Sequence, residues 1–332
     1  MQHGKLFSIL VVAALTTYAI IGFYFLPLSD FEGDLTRLGK LPESKFGWTK
    51  PQPAIAADLL HQATWQEADV LVVGDSFSKP HLWQTVLTQQ GLRVRTEDRR
   101  NIHSICEDFS PWLKSQKFNG KFVIFEMVER GAEDVLERSV RCNKMSYRAT
   151  PYLQPSPPEV LPDRQLRLYT GKLSVGIQTW LHSLEYSYLN GGPDFKQWEL
   201  PNQVRMQRVA NGCDLFSHPQ CQDVLFLTED RIQDFNETML ANMSIVNAKL
   251  NGFKPIWVVV PDKSTVYLNF NKQFWNYAEQ SLHAPNLLQV FRSEIENKTI
   301  DFYRGNDTHL STQGFMVMGE AIRQSMRQNA LP

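Results

Sequence analysis

A chain of 332 residues is long enough for one large core, or for a core with a smaller companion. Its 34 basic residues nearly cancel 35 acidic ones, so no global field gathers nucleic acid, and a basic-patch binder has little support. Hydrophobic residues make up 42%, the content of an ordinary globular protein, which rules out wholesale disorder.

The first element is the run Leu6 to Leu26, 21 positions without a charge. At ~1.5 Å per residue a helix of that length crosses the ~30 Å hydrocarbon layer. Lys5 precedes it, and Asp30, Glu32 and Asp34 follow. That asymmetry reads residues 1–27 as a cytoplasmic tip and single-pass anchor in the inner (cytoplasmic) membrane, with the bulk of the chain in the periplasm or extracytoplasmic space. A cleaved signal peptide is the rival reading; the run is long for one, and no A-x-A site closes it. Residues 28–65, rich in Pro and Gly, read as a juxtamembrane linker that becomes ordered as it nears the domain.

From residue 66 to 330 the pattern is strand, turn, helix, repeated. VLVVG (70–74) is a buried strand leading through DSFSKP into the helical HLWQTVLTQQ. LRVRT (92–96) is a second strand, FVIFEM (122–127) a third followed by the helical AEDVLERSVR, and PIWVVV (255–260) a fourth preceded by a helical stretch over 229–250. LLQVF (287–291) reads as a fifth strand. The last helix begins near Thr312 with Ser311 as its cap. This alternation predicts an α/β fold with a parallel sheet covered on both faces, its ligand site at the carboxyl ends of the strands. Residues 145–228 break the rhythm and read as a large, partly helical insertion over those ends. Its aromatics Trp180, Tyr186, Tyr188, Phe195 and Trp198 suit either a sugar-stacking wall or, the commoner use, a core.

Export would place the four cysteines in an oxidising compartment. Cys213 and Cys221 bracket the short loop CDLFSHPQC, which leaves Cys106 to pair with Cys142; four buried thiols are the alternative. No C-x-x-C or H-E-x-x-H occurs, so the sequence carries no zinc or redox signal and no cofactor is expected.

Gly74-Asp75-Ser76 follows directly on the first strand. A serine at such a turn exposes its hydroxyl, and its own N–H faces the same spot, as a nucleophile generating an oxyanion requires. Alone, a Gly-Asp-Ser turn is common. Asp307-Thr308-His309 precedes the last helix and supplies an imidazole to take the serine proton and a carboxylate to fix its tautomer. Both segments fall at the same edge of the expected sheet, and the conjunction makes Ser76, His309 and Asp307 the catalytic candidates. Lys263 and Tyr267 follow the fourth strand and are candidates to line the site, a snorkelling lysine being an equal reading. Glu126 and Arg130, four apart, read as an ion pair at the end of the third strand. The other histidines lack a partner motif and read as surface or core residues.

The pair VLVVGDSFS and NDTHLSTQGF resembles the first and last sequence blocks of the SGNH (GDSL-like) hydrolase superfamily. D-T-H in place of D-x-x-H is similar to the alginate O-acetyltransferase group, which modifies cell-envelope polysaccharides; FVIFEMVER, VVVPDKSTVY and GDLTRLGKLPESKFGW fit that group as well. The resemblance covers most of 30–325 and the insertion only loosely. It implies a flavodoxin-like three-layer α/β/α sandwich, Ser76 as nucleophile, His309 as base and Asp307 as its orienter. It further implies acetyl groups handed to, or removed from, glycan hydroxyls, a polysaccharide acceptor, and a multi-spanning membrane acyltransferase as acetyl supplier. SGNH hydrolases place a Gly after the second strand and an Asn after the third as oxyanion donors, where this chain has EDRRNIHS and EMVERG. Asn101 is the candidate for the first role and Arg130 for an electrostatic role at the second. Alginate acetyltransferases put D-x-H before the serine, whereas Ser76 comes first here, in the order of the wider superfamily. The expected function is therefore an O-acetyltransferase for an exported polysaccharide, with an acetyl esterase second and a degenerate glycan-binding or envelope-assembly module third.

Overall fold

A computed structural model describes residues 2–162, 171–190, 195–200 and 202–330. Among them seven strands form: β1 Val70–Gly74, β2 Val94–Asp98, β3 Phe122–Val128, β4 Gln197–Leu200, β5 Val204–Arg208, β6 Asp223–Leu227 and β7 Lys254–Val260. The chain divides into two compact units. One holds Met1–Lys50, Pro162–Thr228 and Arg304–Thr308; the other holds Pro51–Leu161, Glu229–Tyr303 and His309–Pro332.

The second unit is mixed α/β around a four-stranded parallel sheet in the order β2-β1-β3-β7. β1 is buried at all five positions and β3 at six of seven, which is why both read as continuous apolar runs rather than alternating ones. Phe125 of β3 packs against Trp257 of β7, with ring centroids 4.8 Å apart and the planes tilted by 33°. The expected strand at 287–291 is instead a helix, Leu287–Glu296. Leu287, Leu288 and Phe291 bury one helical face there, and Asn286 caps it by accepting the Gln289 N–H at 3.2 Å. A five-residue apolar run cannot separate strand from buried helix by periodicity; the Asn cap was the missed signal. The helix expected over 229–250 is confined to Glu237–Ala248. The last helix runs Thr312–Ala330, and Ser311 accepts the Gly314 N–H at 3.2 Å as its cap.

The first unit holds one long apolar helix, Gln2–Phe25, whose span His3–Ser29 has a mean hydropathy of 2.2 in its most apolar stretch and is 6% buried there. By length and composition it suits a membrane anchor or a signal sequence. The stretch after it carries two short helices, Asp34–Gly39 and Glu43–Phe46. Their Leu35, Phe46 and the intervening Leu41 pack into one core with Val204, Met206 and Leu225 of the antiparallel sheet β4-β5-β6. Tyr186 lies in that core, and Phe195 and Trp198 pack against it. Tyr188, by contrast, is 85% exposed. Two disulfides close, Cys106–Cys142 in the α/β unit and Cys213–Cys221 in the other, which fits an extracytoplasmic location.

Candidate active site

The site is built at the carboxyl end of β1. A Cβ on Gly74 would overlap the Ser78 side chain and approach a Glu126 carboxyl oxygen to 2.7 Å, so only glycine fits where β1 meets the turn. Asp75 ties that turn to the neighbouring strand: its carboxylate accepts the Phe77 N–H at 3.0 Å and the Val128 N–H at 2.8 Å. In return Glu126 of β3 accepts the Asp75 N–H at 3.0 Å and the Ser78 hydroxyl at 2.6 Å, while the Trp83 indole N–H donates to Ser78 Oγ at 3.1 Å. Burial and the negative charge of Asp75 hold the Glu126 carboxyl well above the usual carboxylate range, favouring its protonated form. The result is a rigid turn that presents Ser76 to solvent.

His309 reaches this serine from the other end of the sequence. An antiparallel bridge joins Tyr303 to Leu310, the Ser311 N–H donates to the Phe302 carbonyl at 3.0 Å, and the Tyr303 hydroxyl donates to the Pro261 carbonyl at 2.6 Å. These bonds fix the backbone on which the half-buried His309 sits. Its Nε2 lies 2.8 Å from Ser76 Oγ, and its ring lies 4.8 Å from the buried Phe77 ring. A hydroxyl in hydrogen-bond contact with an imidazole nitrogen can lose its proton as it attacks a carbonyl.

Asp307, two residues before His309, belongs to the first unit. There the segment around it is gripped by the start of the Asp34–Gly39 helix. The Asn306 carbonyl accepts the N–H groups of Leu35 at 3.0 Å and Thr36 at 3.3 Å, and the Asp34 carboxylate accepts the Thr308 N–H at 2.8 Å. In the sequence Asp34 counted only as one of the charges that follow the apolar run, with no role near His309.

Asn101 sits in a short helix, Arg99–Ile102, and its amide donates to Thr150 Oγ1 at 2.9 Å. With Asp75, Lys79, Arg148 and Tyr152 it lines a cavity of about 700 Å³ in the α/β unit, on whose wall the residue preceding the serine sits. Arg130 and Lys263 sit at the ends of β3 and β7. The expected Glu126–Arg130 pair does not form: Arg130 bonds Asp262 at 2.6 Å and lies 3.7 Å from Asp230. Glu126 lies within β3 and turns to β1, whereas Arg130 belongs to the following helix, Glu129–Val140, and turns to β7's end. Burial and the negative charge of Asp230 push Asp262 up to about 7, against the pull of Arg130. Lys263 and Tyr267 are buried, and the Tyr267 hydroxyl accepts the Tyr303 N–H at 3.3 Å, supporting the residue that bridges to Leu310 beside His309.

Glu126 was read in the sequence as the partner of Arg130 rather than as the acceptor that holds the serine turn, and Ser78 and Tyr152 were not singled out. A carboxyl in the middle of the apolar FVIFEMV was a readable signal, because a buried strand carries a charge only where something demands it. Comparison of the chain with models of protein families, with curated proteins and with solved structures gives no match.

Proposed function

We propose that this chain is a serine-dependent O-acetyltransferase of the SGNH type, acting on an exported cell-envelope polysaccharide and held in the inner membrane by its N-terminal helix. The observation that carries the reading is the 2.8 Å contact between Ser76 Oγ and His309 Nε2, with the serine exposed on a turn after the central strand β1. The parallel order β2-β1-β3-β7 supports a flavodoxin-like α/β/α layering of the same kind.

In this reading Ser76 Oγ attacks the acetyl carbonyl while His309 Nε2 takes its proton. The charge that develops on the carbonyl oxygen is met by the Ser76 N–H in the first turn after β1, where the Lys79 N–H bonds the Asp75 carbonyl at 3.1 Å. The imidazolium then returns the proton to the departing group, leaving acetyl-Ser76. A sugar hydroxyl gives its proton to His309 and attacks the acetyl carbon; the bond from that carbon to Ser76 Oγ breaks, His309 returns the proton to Ser76 Oγ, and the O-acetyl glycan departs. Asp307 is assigned the orienting carboxylate on its two-residue spacing from the histidine. The cavity lined by Asn101, Thr150 and Tyr152 is the acceptor site, with polar side chains and an aromatic ring suited to a sugar. The acetyl supplier, a multi-spanning acyltransferase, is carried over from the family resemblance. The exposure of Ser76 favours a second reading, hydrolysis of acetyl esters, in which water replaces the sugar hydroxyl.

The test is mass spectrometry of envelope oligosaccharides incubated with the full-length protein and an activated acetyl ester. An acetyl increment on the oligosaccharide that vanishes in Ser76→Ala supports transfer. Serine-dependent loss of the donor with unmodified glycan supports the esterase. Identical traces for wild type and Ser76→Ala would sink both.

A further inference from the structure

We propose that the Leu173–Asn190 helix lies in the interface of the same bilayer that the N-terminal helix crosses, with its outward apolar stripe sunk among the lipids; this rests on reading the N-terminal helix as a retained anchor. The helix has an inner face packed within the first unit and an apolar stripe on its other side. Its inner face is fixed in the first unit: Gly176, Thr179 and Tyr186 are buried, and the Tyr186 hydroxyl bonds Asp223 at 2.7 Å and Gln220 at 2.8 Å. His182 Nδ1 lies 2.8 Å from the Gly39 carbonyl, and Lys45 Nζ donates to Ser183 Oγ at 2.8 Å, which locks the rotation of the helix. On the opposite side Ile177, Leu181, Leu184 and Tyr188 follow at spacings of four, three and four, which stacks them along one line of an α-helix. Leu181 is 51% exposed, Leu184 49% and Tyr188 85%. The polar Ser174, Gln178 and Glu185 border the stripe along one edge. An apolar stripe on a helix asks for a cover, and among the described residues none covers Leu181, Leu184 or Tyr188.

The position of the helix names the cover. Its first turns dock on the end of the N-terminal helix: the Trp180 ring meets the Phe25 ring edge-on at 5.8 Å, and a Cβ on Gly176 would overlap the Phe25 carbonyl oxygen. The flanking Gly171 comes as close to Leu26 and Ser29. A membrane containing the N-terminal helix therefore ends where this helix begins. Ile20, Phe23 and Tyr24 near that exit are exposed, as the stripe is, and Trp180 and Lys172 beside the contact are of the residue types that anchor proteins at headgroups. Nothing acidic lies on the line 177, 181, 184 and 188 to oppose an anionic lipid surface.

The four native cysteines are paired, so a single introduced thiol takes a spin label cleanly. Full-length protein carrying Leu181→Cys, Tyr188→Cys, Glu185→Cys or Val12→Cys is labelled in nanodiscs of phosphatidylethanolamine and phosphatidylglycerol, and collision with oxygen is compared with collision with a water-soluble nickel chelate. The expected oxygen-to-chelate ratio is several-fold higher at 181 and 188 than at 185, and highest at 12. Tyr188 is so exposed that its replacement leaves the fold alone. Chelate-accessible labels at 181 and 188 with a lipid-embedded label at 12 would overturn the interfacial helix and leave the anchor standing. A label at 12 outside the lipid would overturn anchor and interfacial helix together. Protection from both reagents with dipolar broadening between labels would show a second copy on the stripe and overturn the lipid assignment.

Discussion

Ser76 and His309 are 233 residues apart in the chain, and Ser76 Oγ lies 2.8 Å from His309 Nε2. Neither side chain is held by its own helix or strand. The serine is fixed by bonds from Asp75 to β3, and the histidine by the pairing of Tyr303 with Leu310. Replacing either group therefore removes chemistry without removing a fold contact of comparable size. We expect His309→Ala to lower turnover of an activated acetyl ester by ~10²–10⁴-fold, the usual worth of a general base, and Ser76→Ala to end it. Circular dichroism and melting of both variants should match wild type. Retained turnover in Ser76→Ala would remove this serine from the chemistry.

Glu126 has the opposite character, since it bonds Asp75 and Ser78 on either side of Ser76 and so holds the turn itself. Because its protonated form is favoured, an amide of the same shape should serve almost as well. Glu126→Gln is expected to stay within about 1 kcal/mol of wild type, whereas Glu126→Ala leaves the Asp75 N–H and Ser78 hydroxyl without their acceptor and opens a void, costing roughly 2 to 4 kcal/mol. A shift of the serine by about 1 Å would also lower turnover on the order of a hundredfold. Denaturant midpoints together with ester turnover check this, and equal losses for Gln and Ala would mean that the carboxyl acts as a charge.

The parallel sheet and the approach of Ser76 to His309 were legible because each rests on local signals: apolar strands ending in a Gly turn, and a D-x-H before a capped helix. The Leu287–Glu296 helix was misread because five apolar residues fit either period, and only Asn286 marked the difference. The antiparallel sheet β4-β5-β6 was missed because two of its strands, QWEL and VRMQR, are short and largely polar, and the sheet is stabilised by distant partners such as Leu35 and Phe46. The grip of Asp34 on Thr308 could not be read either, since hydrogen bonds between residues so far apart leave no periodic trace.

The two disulfides should differ in worth. Cys106–Cys142 closes a separation of 36 residues and Cys213–Cys221 one of 8. Constraint of the unfolded chain grows with loop length, giving about 4 kcal/mol for the first and about 2.5 kcal/mol for the second. The paired variant Cys106→Ser/Cys142→Ser is thus expected to lower the denaturant midpoint of the α/β unit more than Cys213→Ser/Cys221→Ser lowers that of its neighbour. Local tryptophan probes in each unit would separate the transitions. The reverse order would show that strain or residual structure outweighs loop closure.

Tyr152 and His81 stand together in the wall of the large cavity, their rings 5.7 Å apart. Tyr152 is 44% exposed, and its hydroxyl donates to the Leu60 carbonyl at 3.1 Å, which leaves a ring face for a ligand. Tyr152→Ala is expected to raise KM for a glycan acceptor roughly tenfold, about 1.4 kcal/mol, and to leave turnover of a small activated ester unchanged. If both reactions lose equally, the cavity is no acceptor site and Tyr152 merely shapes the serine turn.

His81 should make the protein acid-sensitive. It is buried to 7% exposure, and that burial lowers its pKa to about 4, against a bond to the Leu60 backbone that pulls the other way. An unfolded chain binds the same proton near pH 6.5. Between those values the unfolded state holds more protons, so stability is full above pH 6.5 and is lost as pH falls toward 4, by roughly 3 kcal/mol in all. Asparagine tolerates the positive φ of 58° at this position, so His81→Asn preserves the backbone while removing the titration. Unfolding free energies measured between pH 4.5 and 7 should therefore slope less for the variant than for wild type. Parallel slopes would mean that the imidazole meets solvent before it protonates and that other groups govern acid unfolding.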